Sequence, residues 1–412
     1  MKRYWVMLWS LWAMRLVRQP TVAVRVAGGW LRGQVARDGS HVRYTGIPYA
    51  TYENRFQVFG GNPNHITLFG ESAGSASVLH HFVSPMSKGM FQKAIMQSGS
   101  AISPWSLQFE PIKTAKLLAN QMGYNLDDPY KLYELFKNKS ITELLSTRVP
   151  RNYGDVVLSE NIFVPCIEKN IPEADKFMPD SPYNLITKGT YNKVPVIIGH
   201  NNAEGYMFVG KENDTTIRNF NIFSSLPRDL KFASNLEKKQ TADELRKLYF
   251  DEDDKDNDIL AKLSKYEGDS GIVYPVTITA ELLSTTMDYP VYMYKFCRDG
   301  WMNLLKLLFK FGEYPGATHA DDLFYIFKFA VTLPQSFYEM KTIDRMSTMW
   351  TNFAKYGQPT PNITQLLPMK WYPLDMKEPQ LLVIDKELSI EPLWNPSLRF
   401  WNETYTKYRR KS

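Results

Sequence analysis

Cysteine is nearly absent, with two in 412 residues, Cys166 and Cys297. They show no C-x-x-C spacing, so the sequence offers no zinc site and no disulfide scaffold; two free thiols or one long-range bridge both remain open. One-sided charge is also missing. Lys and Arg number 49 against 43 Asp and Glu, a net +6, and the basic residues are scattered. That excludes the basic face of a nucleic-acid-binding protein. The nearest basic cluster, "KYRRKS" at the C-terminus, reads as a short solvated tail. The acidic run from Asp251 has no glycine at the sixth position, which a calcium loop of the EF-hand type requires. Internal repeats and low-complexity blocks are absent. So are C-terminal anchor signals and, beyond the first residues, apolar runs of membrane length, so no stable membrane anchor is expected.

The one notable apolar run is at the start. Lys2 and Arg3 precede Tyr4–Met14, a basic region followed by an apolar core too short to span a bilayer. The pattern predicts a signal peptide over residues 1–20 and one domain over 21–412. Four N-x-[ST] triplets, at Asn138, Asn213, Asn362 and Asn402, fit a secreted glycoprotein. The chain is 44% hydrophobic and 22% charged, ordinary globular composition with ample length for a large core.

Residues 22–50 alternate around Gly28-Gly29 and Asp38-Gly39, which predicts small antiparallel hairpins. "HITLFG" (65–70) is a β-rich run. "SAGSASVLHHFV" follows with Val78, Leu79, Phe82 and Val83 at helical spacing, and Pro85 ends it. "KAIMQSGS", "VPVIIGH" (194–200) and "PVYMYKF" (290–296) read as buried strands with helices between them. Strands alternating with helices predict an α/β fold with a mostly parallel sheet covered on both faces.

The stretch "LFGESAG" places Ser72 in a G-x-S-x-G frame where a strand turns into a helix. A serine hydroxyl is a weak nucleophile until a base takes its proton and donors stabilise the oxyanion. The frame suits a nucleophile because Gly70 and Gly74 lack Cβ atoms, so strand and helix can approach closely and Oγ projects from the sheet. The Ala73 amide, at a helix N-terminus, is a candidate oxyanion donor. The order for such a site is serine, acid, histidine. Of six histidines only His319, in "GATHADDLFYIF", lies well downstream, so it is the candidate base. Glu204, in the polar turn after "VPVIIGH", is the candidate acid. Asp321 and Asp322 compete by proximity but read as acids starting a helix. His200 reads as satisfying a strand end, and Glu71 as a structural acid beneath the turn.

"GGNPNHITLFGESAGSASV", "FQKAIMQSGSAISPW", "VPVIIGHNNAEG" and "GATHADDLFYIF" together resemble the type-B carboxylesterases, and "NNAEGYMF" with "CRDGWMNLLK" is most similar to those of insects. The resemblance runs from about Val22 to Tyr405. It implies an α/β-hydrolase fold and a Ser72–His319–Glu204 triad acting on a small-molecule ester, with neither metal nor cofactor. One departure is large. The family carries central strands and an H-G-G-G motif between the regions resembled by "GIPYATYENRFQ" and "VFGGNPNHITLFG"; here Gln57 and Phe59 are one residue apart. The resemblance therefore implies an incomplete sheet, a partnerless nucleophile strand and a depleted oxyanion hole. It leaves open an impaired esterase, a non-catalytic binding relative and a truncated product without function.

Overall fold

The computed structural model describes residues 62–169, 171–172, 175–250, 258–329 and 335–410, preceded by four short strands within 23–43. Those strands pair as two antiparallel hairpins: β1 (Ala23–Val26) with β2 (Gly29–Arg32), and β3 (Gln34–Val35) with β4 (Val42–Arg43). Antiparallel hairpins are what the sequence predicts over this stretch. They belong to a first compact unit, Met1–Ile66; the second unit is Thr67–Ser412. The expected signal peptide lies outside the described residues, as do Gln57–Phe59 and Asp251–Asn257.

The second unit is built on a six-stranded sheet in the order β10-β9-β8-β7-β6-β5. Its strands are β5 (Thr67–Glu71), β6 (Lys93–Gln97), β7 (Val196–Asn201), β8 (Val291–Phe296), β9 (Gln380–Ile384) and β10 (Leu388–Pro392). β5 to β9 run parallel and β10 returns antiparallel. The four strands read from the sequence are present. The β9–β10 hairpin is an addition, although "QLLVI" and "LSIEP" around a polar turn carried its signal. Every residue of β6 and β7 is buried, as both-face coverage in a parallel sheet requires. β5 is only half-buried along its length. Among the described residues it pairs with β6 alone.

Alternation along the strands sorts the two faces. Ile95, Ile197, Tyr292, Tyr294 and Phe296 form one apolar cluster with Met346, Trp350 and Phe353 of the helix Phe337–Tyr356. Ala94, Met96, Val196 and Ile198 point the other way. There β6 meets α1 (Ala73–Val83), and β7 meets the helix Tyr274–Thr286. α1 ends at Ser84, whose successor Pro85 opens a separate single turn. This is the stop the sequence predicts.

Three further expectations meet their structure here. Cys166 and Cys297 are free and do not bridge. No helix of the described residues is long and apolar enough to cross a membrane. The "KYRRKS" segment, expected to be solvated, is instead fastened as far as Arg410. The Arg410 amide donates to the Asp229 carbonyl at 2.7 Å and the Lys231 amide to that of Tyr408 at 2.7 Å. The Arg409 guanidinium lies 4.3 Å over the Tyr183 ring and 4.4 Å over Tyr405. The planar guanidinium stacks on aromatic faces and loses little by leaving water, so a charged run can close against the body of the protein.

Candidate active site

Ser72 sits between β5 and α1 with φ 57° and ψ −121°, a conformation few L-residues adopt. The turn is held from the β6 side. The Ser72 amide donates to Gln97 O at 2.8 Å, and Ser75 Oγ donates to Gly99 O at 2.7 Å. Steric demand is unevenly spread. A Cβ on Gly70 would lie 2.2 Å from the Gly74 carbonyl oxygen, whereas one on Gly74 meets nothing within 4 Å. The expectation that both glycines must lack a side chain is therefore corrected: Gly74 stands in open space. The second demanding position is Gly99, where a Cβ would lie 2.2 Å from the Ser72 carbonyl oxygen. The sequence reading missed it. Its signal was a glycine directly after a buried strand, in "QSGS".

The other two side chains come from loops at the same ends of the parallel strands, where such sheets place their sites. Glu204 follows β7. His319 follows Gly316, with Ala320 behind it in the left-handed region at φ 66°. His319 Nε2 lies 2.7 Å from Ser72 Oγ, and His319 Nδ1 lies 2.7 Å from Glu204 Oε2. Glu204 and His319 are each 1% exposed. The other carboxylate oxygen, Glu204 Oε1, accepts from the Asn201 amide at 2.6 Å and from Ser98 Oγ at 2.6 Å. A carboxylate so satisfied is fixed in place and oriented toward the ring.

A cleft of ≈ 990 Å³ opens over Ser72 and Ala73. Trp105, Leu158, Phe208 and Ile272 line its apolar part, and Arg151 and Glu212 stand in its wall. Phe208 packs on the His319 ring with centroids 4.9 Å apart. Ala73 begins α1, is exposed and faces the cleft. The floor depends on an irregular helix. The helix Ile259–Gly268 continues through a π turn, Asp269–Val273, into Tyr274–Thr286. Pro275 has no N–H to offer the Gly271 carbonyl four residues back. The Trp105 indole donates to it instead, at 2.8 Å.

A sequence model of the carboxylesterase family matches residues 53–401. The chain belongs to the carboxylesterase family. It is 29% identical over 373 residues to a bile salt-activated lipase of Bos taurus, covering 86% of this chain and 60% of that protein. It is 29% identical over 336 residues to esterase FE4 of Myzus persicae, covering 77% and 57%. With neuroligin-2 of Rattus norvegicus the identity is 30% over 373 residues, covering 84% and 42%. The chain thus spans about 42–60% of the length of these relatives.

Within this carboxylesterase-family fold, two acids have roles other than those read from the sequence. Glu71, read as a structural acid beneath the turn, also faces the histidine. Its Oε1 lies 3.3 Å from His319 Nε2 and has no hydrogen-bond partner among the described residues. Burial pushes the Glu71 carboxyl up to about 7, against the pull of His319 and with a further push from Asp322 and Glu204. For His319, burial disfavours the imidazolium, but the charges of Glu71 and Glu204 outweigh it, so its pKa is raised. Asp321 stands in the first turn of its short helix, as read, but does not cap it: it accepts from the Thr318 amide before that helix at 2.9 Å and from the Leu305 amide of the helix Leu304–Leu308 at 3.0 Å. Asp322 is fully buried and accepts from Gln97 Nε2, from Tyr294 Oη at 2.8 Å and from Asn201 Nδ2 at 3.4 Å. Burial lifts it to about 6. His200 stays at its strand end, its Nδ1 2.9 Å from Asn201 O, and burial lowers its pKa.

The four sequons differ in availability. Asn138, Asn213 and Asn362 are exposed and Asn402 is half-buried. Asn138 Nδ2 donates to Glu134 O at 2.9 Å. Asn213 Oδ1 caps a helix, accepting from the Thr215 and Thr216 amides at 2.9 and 3.0 Å. Asn402 Oδ1 accepts from Tyr274 Oη at 3.3 Å.

The glycine geometry gives a direct test. Gly70→Ala and Gly99→Ala each lower unfolding free energy by more than about 2 kcal/mol, because backbone must move. Gly74→Ala costs under about 0.5 kcal/mol, or stabilises, since Ala restricts the unfolded chain more than Gly. Urea unfolding of the three variants checks the order; a Gly74 effect equal to that of Gly70 would contradict it.

Proposed function

We propose that the protein is a serine carboxylesterase that hydrolyses small apolar carboxylic esters through an acyl-enzyme. The observation that carries this reading is the unbroken line from Glu204 Oε2 through the His319 ring to Ser72 Oγ, with 2.7 Å at each step. Ser72 Oγ attacks the ester carbonyl carbon while its proton passes to His319 Nε2. Glu204, accepting from Nδ1–H, stabilises the imidazolium that forms. The tetrahedral adduct collapses as His319 hands that proton to the leaving alkoxide, releasing the alcohol. Water then repeats the sequence on the acyl-Ser72 and frees the acid. The apolar part of the cleft, lined by Trp105, Leu158, Phe208 and Ile272, suits an uncharged hydrocarbon group of the substrate.

The oxyanion is the weak point. Ala73 at the start of α1 is the donor assigned here, and the sequence holds no H-G-G-G run. Missing donors cost turnover more than acylation geometry, so this form is read as an impaired esterase. A second reading, an esterase-like binding protein without turnover, draws on the same absence and on the similarity to neuroligin-2. Secretion and glycans belong to the proposal as well. Exposure favours Asn213 and Asn362, whose Nδ2 atoms make no hydrogen bond found among the described residues, over the half-buried Asn402.

A fluorophosphonate probe is expected to label Ser72 in the folded chain and to fail with His319→Ala; intact-protein and peptide mass spectra read both. An adduct elsewhere, or none, rejects the nucleophile. Turnover of a simple aryl ester is expected to rise at least about a hundredfold when the family's H-G-G-G segment is inserted after Gln57, since each oxyanion donor is worth roughly 10²–10³ in kcat. Equal rates would reject the oxyanion argument.

The pH profile follows from Glu71. Catalysis needs Nε2 unprotonated, so kcat/KM falls as pH drops through the raised His319 pKa. Where it is ionised, above its pKa of about 7, the Glu71 carboxylate favours the imidazolium, and a neutral amide does so at no pH. Glu71→Gln is therefore expected to move the acid limb to lower pH by at least about half a unit. An acid limb that stays in place or moves up would show that Glu71 does not act on the ring.

A further inference from the structure

We propose that Arg151 and Glu212 form a positioning pair that fixes the cleft wall carrying Leu158 and so limits the size of the ester accepted. The inference rests on the esterase reading above and concerns its selectivity.

Glu212 lies just beyond the helix Tyr206–Val209, which carries Phe208 against His319. Leu158 comes from the opposite wall, on the short turn Val157–Glu160. One carboxylate joins the two. Glu212 Oε1 accepts from Arg151 Nη1 at 2.7 Å and from the Val157 amide at 2.8 Å, while Oε2 accepts from Arg151 Nη2. The guanidinium fork fixes the angle as well as the distance. Arg151 Nε also lies 3.8 Å from Glu160 Oε1 at the far end of the turn. The turn is thus held at both ends. The Arg151 and Glu212 side chains are 14% and 4% exposed, so water competes little for the pair and its loss is felt.

The turn so fixed presses Leu158 onto the cleft floor. A Cβ added at Gly271 would lie 2.5 Å from Leu158 Cδ1 and 3.9 Å from Trp105 Nε1, so the leucine tip closes against Gly271 beside the indole. Ile272 completes that floor. Behind the wall stands Glu267, fully buried, with no partner for either carboxylate oxygen among the described residues. Burial, and after it the charge of Glu212, raises the Glu267 pKa well above the ordinary carboxylate range, and Glu267 makes no hydrogen bond to Arg151. Without the Arg151–Glu212 fork the turn keeps only the Val157 amide bond and the longer Arg151–Glu160 contact, so it loosens. Leu158 then lifts from Gly271 and lengthens the apolar cleft.

The test compares p-nitrophenyl acetate, butyrate and octanoate on the whole chain. Glu212→Gln and Arg151→Met are expected to raise the octanoate-to-acetate ratio of kcat/KM by at least about fivefold, carried by KM, as pocket methylenes allow. Leu158→Ala opens the same space directly and gives the same direction. Arg151→Lys, a point charge without the fork, gives a partial shift. A ratio unchanged in all variants, or a parallel fall of kcat on every ester, overturns the proposal even if the variants melt lower. Should the wild-type chain turn over no ester and take no label at Ser72, the esterase reading fails separately. The unreacted esters then act as ligands, and the octanoate-to-butyrate ratio of Kd reads the same wall: a variant ratio equal to wild type rejects the pair as a determinant of size.

Discussion

The Glu204 carboxylate is the point where the site's separate chain segments become one arrangement. Its two oxygens take three donors: the Asn201 amide at the end of β7, the Ser98 hydroxyl just after β6, and His319 Nδ1 from a loop more than a hundred residues on. A buried carboxylate with fewer donors would be costly to ionise. Here donors reach both oxygens of the buried carboxylate, and the direction of the ring follows from them. Ser98, whose hydroxyl donates to Glu204, stands in the left-handed region at φ 52°, where few residues with a side chain settle.

A second buried acid ties this arrangement to the sheet. Gln97 bonds Asp322 with its amide and receives the Trp350 indole on its oxygen at 3.1 Å. Tyr294 and Asn201 reach the same Asp322. Thus β6, β7, β8 and the helix Phe337–Tyr356 all hold the residue three places after His319. Asn201 Nδ2 adds a bond to Thr318 O at 2.6 Å, directly before the histidine. Buried polar networks of this kind favour one core arrangement, although the Asn201 Oδ1 here has no hydrogen-bond partner among the described residues. A shift of any one strand would be transmitted to the ring.

What could be read from the sequence and what could not divide along physical lines. The elbow around Ser72 is local: a β run, small residues and a helix pattern lie within a dozen positions, so its shape was legible. His319 was reached by elimination and Glu204 by its place after a strand, and the structure brings both to Ser72. Contacts made across the fold left no such trace. Gly99 is demanding because of the Ser72 carbonyl, far from it in sequence. Asp322 looked like a helix-start acid because its partners come from three other strands. Glu71 looked purely structural because only the return of the His319 loop brings an imidazole to it. The tail near Arg409 looked solvated by its charge, while its fate depends on the faces of Tyr183 and Tyr405.

The direction from which the elbow is supported separates two requirements that the sequence suggested were joined. An absent partner beside β5 threatened both the nucleophile's geometry and its oxyanion donors. Yet the bonds and close approaches that hold Ser72 come from the β6 side: Gln97 O, Gly99 O and the Gly99 α-carbon. The ring that accepts its proton is set by Glu204, anchored on β6 and β7. None of these uses the outer edge of β5. The Ser72 side chain is therefore positioned from the interior of the sheet, while under the esterase proposal the charge of a tetrahedral adduct would depend on donors facing the cleft. A chain that lacks the H-G-G-G run can then keep a reactive serine and still lose most of its turnover. Attack needs a positioned hydroxyl and a base, whereas rate depends on how well the developing oxyanion is held.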